Sequence, residues 1–340
     1  MVDPDTTSAA DLATKVAFLR RPDVYPDAPG RVETRETHMA WVFLTRRHAY
    51  KLKKPVRFAF LDYTSLAGRE RVCRAEIALN RRLAPETYEG VVALRQRRDG
   101  ALTLDGDGTT VDWLVKMRRL PAEGFLESAI LAREVPEQPL ADAADLLARF
   151  YRDQPAMPLN PATHAERLDA TLREHRDHLL EGPEQPVEPA RVRAVVETLR
   201  ASLARREALP AERAERLVDG HGDLRPEHVH LGPPPAVIDC IEFNDSFRHN
   251  DPVEEIAFLD MECERLGADW IGRVMLDAYA AHTGDDPPDA LIAFYRAKRA
   301  LLRAQLSLWH LAEDVADPDK WRRRTETYLA IAERHAAKLR

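Results

Sequence analysis

The sequence has 340 residues, of which 44% are hydrophobic and 31% charged, with a formal net charge of −7. This length suits two domains or lobes, and the acidic balance argues against a general nucleic-acid binder. The sequence contains no apolar run of the roughly 18–20 residues that a membrane helix needs. Its polar N-terminus lacks the layout of a secretory signal. We therefore expect a cytoplasmic protein with no nucleic-acid or membrane partner.

The first third of the chain has the pattern of a small β-rich lobe. A helix is predicted over 64–83, capped by Thr64 or Ser65, and a short helix over 11–20. Runs of β-branched and aromatic residues predict antiparallel strands, with a further strand possible before Trp41. The predicted strands span 41–44, 49–53, 90–94 and 111–117. Residues 1–117 are therefore interpreted as one lobe, an antiparallel sheet with one main helix.

After Pro121 the apolar spacing becomes helical, with one exception near residues 220–245. The predicted helices span 138–153, 161–180, 188–207, 253–266, 270–283, 288–312 and 318–338. Residues 118–340 are therefore predicted to form a larger helical lobe, and the fold class is α+β. The three cysteines include no CxxC pair and are expected to be reduced, partly buried thiols.

The exceptional stretch carries the chemistry. It begins His221-Gly222-Asp223, continues through a strand candidate at 229–231, and reaches Asp239 directly after a second strand candidate at 236–238. We predict a short hairpin that brings Asp223 near Asp239. Two carboxylates placed in this way suit phosphoryl transfer, because one can orient an attacking hydroxyl while the other holds Mg²⁺.

This stretch resembles the catalytic and metal-binding loops of the aminoglycoside phosphotransferase family, which is related to the protein kinases. Further similarity, to an uncharacterised bacterial branch often fused to a P-loop ATPase domain, lies in residues 37–44, 49–56, 80–85, 239–244 and 294–304. The sequence itself contains no P-loop motif, so that ATPase domain is expected to be absent. The resemblance implies a two-lobed protein-kinase-like fold, with a short catalytic hairpin in the larger lobe. It also implies that ATP and Mg²⁺ are used to phosphorylate a hydroxyl of a small molecule.

The resemblance also assigns roles in the first lobe. Ala49-Tyr50-Lys51 matches the strand whose lysine contacts the nucleotide phosphates, and a glutamate on the next helix would hold that lysine. Glu76 is the expected partner, with Glu70 as the alternative. Lys53 lies on the same strand face as Lys51 and is the second candidate. The segment 114–121, which includes Met117, is where the backbone would bind adenine.

In the second lobe, Asp223 is the expected catalytic base and Asp239 the principal Mg²⁺ ligand. Glu242 either assists or faces solvent, and His221 is expected to support the loop backbone. His228 stands where the family has a metal-binding asparagine. It could be a variant second ligand, contact phosphate, or leave a single metal on Asp239, since Mg²⁺ prefers oxygen ligands.

The acceptor is not identified by the sequence, and neither is the oligomeric state. Arg296, Arg299 and Arg303 recur at helical spacing, so they form either a basic stripe for an anionic acceptor or a solvated face. A polycationic acceptor would instead need an acidic pocket. Acidic residues available for one are Asp245, Asp251, Glu254, Glu255, Asp260 and Glu262, of which Asp251 and Glu255 could instead be structural.

Two alternatives remain at this point. Three histidines, at 221, 228 and 230, lie close in sequence to Asp223 and Asp239, a set of side chains that could bind a transition metal in a hydrolase. The other alternative is a non-catalytic, pseudokinase-like nucleotide-binding regulator, suggested by His228 and by the missing glycine-rich loop.

Overall fold

The computed structural model describes residues 10–28, 30–58, 60–181, 187–204, 210–312 and 317–340. They divide into two compact units. Unit 1 comprises residues 1–122 together with 236–245, and unit 2 comprises residues 123–235 together with 246–340. The lobes predicted as 1–117 and 118–340 remain a prediction. It had assigned residues 236–245 to the second lobe, whereas here they belong to unit 1.

Unit 1 is built on a six-stranded antiparallel sheet in the order β1-β2-β3-β8-β6-β7. Its strands and the separate β4–β5 hairpin are β1 Glu33–Glu36, β2 Ala40–Leu44, β3 His48–Lys53, β4 Arg57–Phe58, β5 Leu61–Asp62, β6 Tyr88–Gln96, β7 Leu102–Leu104 and β8 Thr109–Arg118. A short strand, Ala236–Val237, is also part of this unit. All four predicted strands are confirmed, whereas β4, β5 and β7 were not predicted.

Two helices of unit 1, α1 (Leu12–Leu19) and α2 (Leu66–Asn80), pack against opposite faces of the sheet. Alternate residues of β3 divide between these faces: Tyr50 and Leu52 pack in the core with α1, and Ala49 packs in the core with α2. The period of two in a strand therefore sends Lys51 and Lys53 to the α2 side with Ala49.

Polar contacts fasten both helices to the sheet. Asp112 on β8 accepts from Lys15 Nζ of α1 at 2.8 Å and from Arg69 Nε of α2 at 2.7 Å. Ser65 caps α2 by accepting from the Gly68 N–H at 3.0 Å, so of the two predicted caps Ser65 is the one used. These contacts fix α2 against the strand face that carries the two lysines.

Unit 2 is helical. Its helices are α3 Leu126–Ala132, α4 Glu137–Asp153, α5 Pro161–Leu180, α6 Pro189–Ala204, α7 Pro252–Arg265, α8 Ile271–Thr283, α9 Asp289–Trp309 and α10 Pro318–Ala337. Every predicted helix of this region is confirmed, α3 was not predicted, and residues 205–207 of the predicted 188–207 helix lie outside the described residues. None of the described helices is both long and apolar enough to span a bilayer.

Helix α9 is the centre of unit 2, because it packs against α7 on one side and α10 on another. The loop before α7 is anchored by a two-stranded antiparallel ladder between Val218–Asp219 and His249–Asn250. A further short strand, Val229–His230, follows the His221-Gly222-Asp223 segment. The N-terminal end of α7 and this segment are therefore held side by side.

Candidate active site

The lysine predicted to contact phosphate lies in a cluster of charges in unit 1. Lys51 Nζ is 3.0 Å from Glu76 Oε1 and 2.7 Å from Asp239 Oδ1. Burial disfavours the ammonium, but the two carboxylates outweigh it and raise the pKa of Lys51 above its usual value. The structure thus brings together three of the residues that the sequence singled out.

Glu76 is shared between two lysines. Its Oε2 lies 2.5 Å from Lys53 Nζ, and its side chain is completely buried on the inner face of α2. Burial raises the pKa of Glu76, but Lys51 and Lys53 outweigh burial and lower it. The alternative partner Glu70 instead pairs with Arg74 on the helix surface, at 2.7 Å.

Lys53 belongs to a second, more deeply buried pair. Its side chain is 2% exposed and its ammonium contacts the Glu242 carboxylate, which also accepts from Tyr63 Oη at 2.9 Å. The solvent-facing alternative for Glu242 is therefore wrong, because only 7% of this side chain is exposed. Lys53 is therefore a buried lysine that is paired inside unit 1, whereas the side chain of Lys51 is 16% exposed.

Asp239 sits on a tethered and unusual piece of backbone. Its φ is +64°, in the left-handed region where aspartate is tolerated better than most residues. Its N–H donates to Tyr88 Oη at 3.1 Å, and the next N–H, of Cys240, donates to Asn80 Oδ1 at 2.9 Å. The carboxylate of Asp239 is 47% exposed, so a carboxylate oxygen, the donor that Mg²⁺ prefers, is presented at the surface of unit 1.

Ala49 and Met117 are adjacent partners on β3 and β8. Both side chains are buried in the core under α2. Met117 is thus the penultimate residue of a strand, and only 119–121 of the predicted adenine-binding segment lie beyond that strand. Whether the segment contacts a nucleotide stays a prediction.

In unit 2 the His221-Gly222-Asp223 segment is fixed by a buried carboxylate. Glu255 of α7 accepts the N–H groups of His221 at 2.8 Å and Gly222 at 2.5 Å, and the hydroxyl of Tyr151 at 2.8 Å. Gly222 has φ +88°, a conformation that favours glycine. The expectation that His221 supports the loop agrees with its position, since His221 Nδ1 accepts from the Asp223 N–H at 3.3 Å.

Asp223 is held by a cation that the sequence analysis missed. Arg225 Nη2 donates to Asp223 Oδ2 at 2.9 Å, and Arg225 Nη1 contacts Glu227. Burial raises the pKa of Asp223, but the charges of the guanidinium groups, above all Arg225 and then Arg303, outweigh it and lower that pKa to about 2. Arg225 could have been predicted as a partner of Asp223, because it lies two residues away in the sequence. The family pattern instead drew attention to His228, the fifth residue after Asp223.

His228 contacts both residues of the Arg225–Asp223 ion pair. Its Nδ1 is 2.8 Å from the carbonyl oxygen of Asp223, and its Nε2 is 3.3 Å from Arg225 Nη2. His230 is used differently, because its Nδ1 accepts the Gly232 N–H at 3.1 Å and its ring packs edge-on against Phe125. Within the described part of the chain, no group of three His, Cys, Asp or Glu side chains is arranged to hold a metal.

The arginines of α9 do not form a substrate-facing stripe, which corrects both expectations made for them. They pair with carboxylates of α7 inside unit 2: Arg299 with Glu254 at 2.8 Å, Arg303 with Glu262 at 2.8 Å, and Arg296 with Asp260. Residues three and four apart lie on one face of a helix, so the three arginines share the face of α9 that contacts α7.

The same pairing corrects the acidic-pocket candidates. Asp251 caps α7 and pairs with Arg213 at 2.7 Å. Of the acidic residues considered, only Asp245 is exposed, whereas those buried in unit 2 are Asp251, Glu254, Glu255, Asp260 and Glu262. These carboxylates stabilise the helical core and are not available to a polycation. The side chains of Cys73, Cys240 and Cys263 are buried.

Comparison with solved structures decides the fold. The structure of a choline/ethanolamine kinase family protein from Mesorhizobium loti matches 96% of this chain and 99% of its own, with a TM-score of 0.55 and 18% identity. The GDP and kanamycin complex of the aminoglycoside phosphotransferase APH(2")-IIia matches 96% of this chain and 98% of its own, with a TM-score of 0.57 and 16% identity. The chain has the protein-kinase-like fold. The expected fold class and the expected resemblance are thereby confirmed.

Sequence comparison adds relatives but no activity. The uncharacterized proteins Rv2004c of Mycobacterium tuberculosis and Mb2027c of Mycobacterium bovis are each 34% identical to this chain over 287 residues. The matches cover 81% of this chain and 54% of each relative, so the chain spans about half the length of the curated relatives it matches. No protein-family model matches the sequence.

Proposed function

We propose that this protein is an ATP-dependent phosphotransferase that moves the γ-phosphate to a hydroxyl of a small molecule. The observation that carries the proposal is the Lys51 ammonium held between Glu76 and Asp239. This arrangement keeps a lysine charged and fixed in direction, which is what recognition of nucleotide phosphates needs. The protein-kinase-like fold supports the proposal, because solved structures that match this chain include those of small-molecule kinases.

In this proposal Lys51 binds the phosphates, Met117 lies within the adenine-binding segment, and Ala49 is its partner on β3. Asp239 would hold Mg²⁺, since its half-exposed carboxylate supplies oxygen ligands. When bound, Mg²⁺ neutralises charge on the phosphates. Asp223 would accept a hydrogen bond from the acceptor hydroxyl and take its proton as the acceptor oxygen bonds to the γ-phosphorus and the bond from that phosphorus to the bridging oxygen breaks, releasing ADP. The low pKa of Asp223 keeps it ionised for that role at neutral pH.

The ion pair between Arg225 and Asp223 favours a second candidate, a nucleotide-binding regulator without turnover. Arg225 neutralises Asp223 and makes it a weak base. The two functions differ in a single measurable outcome, the release or transfer of phosphate from bound ATP. A small-molecule acceptor is proposed in the first case, and none is needed in the second.

Thermal unfolding with ATP or GTP, each with and without Mg²⁺, tests the proposal. A nucleotide at 100 times its Kd stabilises the folded state by about 2.7 kcal/mol. We expect an increase in Tm that requires both nucleotide and Mg²⁺ and is lost in Asp239→Asn. Glu70→Gln, a surface change on α2, is the matched control and should behave as the wild type. Absence of a shift with either nucleotide would refute the proposal.

A further inference from the structure

For two hydrogen-bond contacts of the His228 side chain, the donor and the acceptor can be assigned. A carbonyl oxygen only accepts, so the 2.8 Å contact of His228 Nδ1 with the Asp223 carbonyl places the ring hydrogen on Nδ1. In the neutral ring Nε2 then accepts, and it is 3.3 Å from a guanidinium donor, Arg225 Nη2. The buried imidazole therefore spans from the backbone of Asp223 to the side chain of Arg225.

A metal at this histidine would meet two obstacles. With Nδ1 protonated, Nε2 is the only nitrogen left to ligate a cation, and it faces the positive charge of Arg225 at 3.3 Å. Like charges at that separation repel each other. Mg²⁺ also prefers oxygen to imidazole nitrogen.

Arg225 is oriented from three sides. Nη2 contacts both Asp223 Oδ2 and His228 Nε2, Nη1 contacts Glu227, and the side chain is 16% exposed. An arginine fixed in this way holds one oxygen of Asp223, so that the acceptor hydroxyl would meet the other oxygen, Oδ1. Its direction depends on His228, whose ring fills the space between the loop backbone and the guanidinium.

We propose that His228 is a positioning residue that keeps Arg225 on Asp223, and that it does not ligate the metal. This inference rests on the proposed function, because it takes Asp223 as the base. It also gives a role to the histidine that stands where the family has an asparagine. His228 supports Arg225, and Arg225 sets the direction of the Asp223 carboxylate.

The first test needs no nucleotide. Two-bond ¹H–¹⁵N correlation of the ¹⁵N-histidine-labelled protein, with the His228 signals assigned by their loss in His228→Gln, should show the Nδ1–H tautomer. In Arg225→Met the Nε2 resonance of His228 should move, whereas that of His178, a half-buried histidine of α5, should not. An Nε2–H tautomer, or an Nε2 signal indifferent to Arg225→Met, would overturn the proposal.

The second test uses Mn²⁺ with ADP. Electron spin-echo modulation should show no directly coordinated ¹⁴N, and nucleotide affinity in the presence of Mg²⁺ should stay within about twofold in His228→Gln. A coordinated-nitrogen signal that His228→Gln removes would make His228 a metal ligand and refute the inference. Failure to bind Mn²⁺ and ADP at all would refute the proposed function instead, and the tautomer measurement would still decide the role of His228.

Once turnover is measured, His228→Ala should lower kcat by about 10- to 100-fold with KM for ATP unchanged, because a small misplacement of a reacting group has effects of that size. An unchanged kcat would contradict a positioning role.

Discussion

The lysine cluster of unit 1 and the Asp223 loop of unit 2 hold their charges by different means. In unit 1, Lys51 contacts residues 25 and 188 positions away, Glu76 and Asp239. In unit 2, Asp223 contacts residues two and five positions away, Arg225 and His228. The loop is therefore a local structure that a buried glutamate fastens to α7, whereas the lysine cluster exists only when the sheet, α2 and the 236–245 segment are assembled.

Electrostatics separates the two regions as well. Lys51 and Lys53 face three carboxylates, so each of these two lysines lies between two opposite charges. Asp223 is instead dominated by cations, which lower its pKa to about 2. We infer that unit 1 is built to keep a cation fixed, and that the loop of unit 2 is built to keep an anion fixed. The predictions below test this contrast.

The largest effect is expected on the rate of phosphate transfer when Asp223 is changed. Asp223→Asn removes the proposed base while keeping the shape of the side chain, and general-base catalysis contributes about 10²–10⁴-fold. Phosphate transfer should fall by about 10³-fold, and ATP affinity should stay within about twofold. Rates from quenched-flow or coupled assays and calorimetric affinities check both. Asp177→Asn, on the exposed face of α5, is the control, and full activity in Asp223→Asn would refute the assignment.

The two lysines should separate function from stability. Lys53→Met leaves Glu242 buried without its cation, and breaking a buried pair costs about 3–5 kcal/mol. Lys51→Met should destabilise the fold less, because Lys51 is more exposed and Glu76 retains Lys53, but it should lower nucleotide affinity by about tenfold or more. Urea unfolding and calorimetry measure the two quantities. Equal loss of stability in both variants would contradict separate roles.

Acid should weaken the α7–α9 interface. Burial raises the pKa of Glu254, but Arg299 and Lys298 outweigh it and lower that pKa to about 2. A depressed folded-state pKa gives stability that is complete above the usual value of 4.5 and is lost as the pH falls towards 2. The expected contribution is about 3 kcal/mol.

Glu254→Gln should therefore be less stable than the wild type at pH 7 and should lose less stability between pH 6 and pH 3. Urea unfolding across this range measures the difference, with Glu70→Gln as the surface control. Wild-type and Glu254→Gln curves that run parallel over the whole range would show that the ion pair contributes nothing through protonation.

The smallest effect is expected in the loop backbone. Gly222→Ala places a side chain at φ +88°, which should cost about 1–2 kcal/mol. Gly90→Ala is the matched control, since a Cβ there meets no atom within 4 Å and φ is not positive, and it should change stability by about 0.5 kcal/mol or less. Thermal unfolding compares them. A Gly222→Ala protein as stable as Gly90→Ala would show that the loop adapts.

Much of the architecture could be predicted from local pattern. Alternation on β3 placed Lys51 and Lys53 on one face, and the family resemblance implied that Glu76, on the next helix, would hold Lys51. The sequence could not distinguish a paired from a solvated charge. The α9 arginines and the α7 carboxylates were each interpreted alone, although their helical spacing is complementary and they neutralise one another in the core.

Periodicity in the sequence predicted most of the strands and helices along the chain, because periodicity is a local property. The short motifs that resemble the aminoglycoside phosphotransferase family implied the protein-kinase-like fold and identified Lys51, Glu76, Asp223 and Asp239 as candidates. The tertiary structure decided which charges meet. It showed that Glu76 binds two lysines, that Glu242 is buried, that Arg225 holds Asp223, and that the arginines of α9 face α7. The reason is physical: the energy of a charge depends on its partners and its burial, and for Lys51, Glu242 and the arginines of α9 the partners lie far away in the sequence.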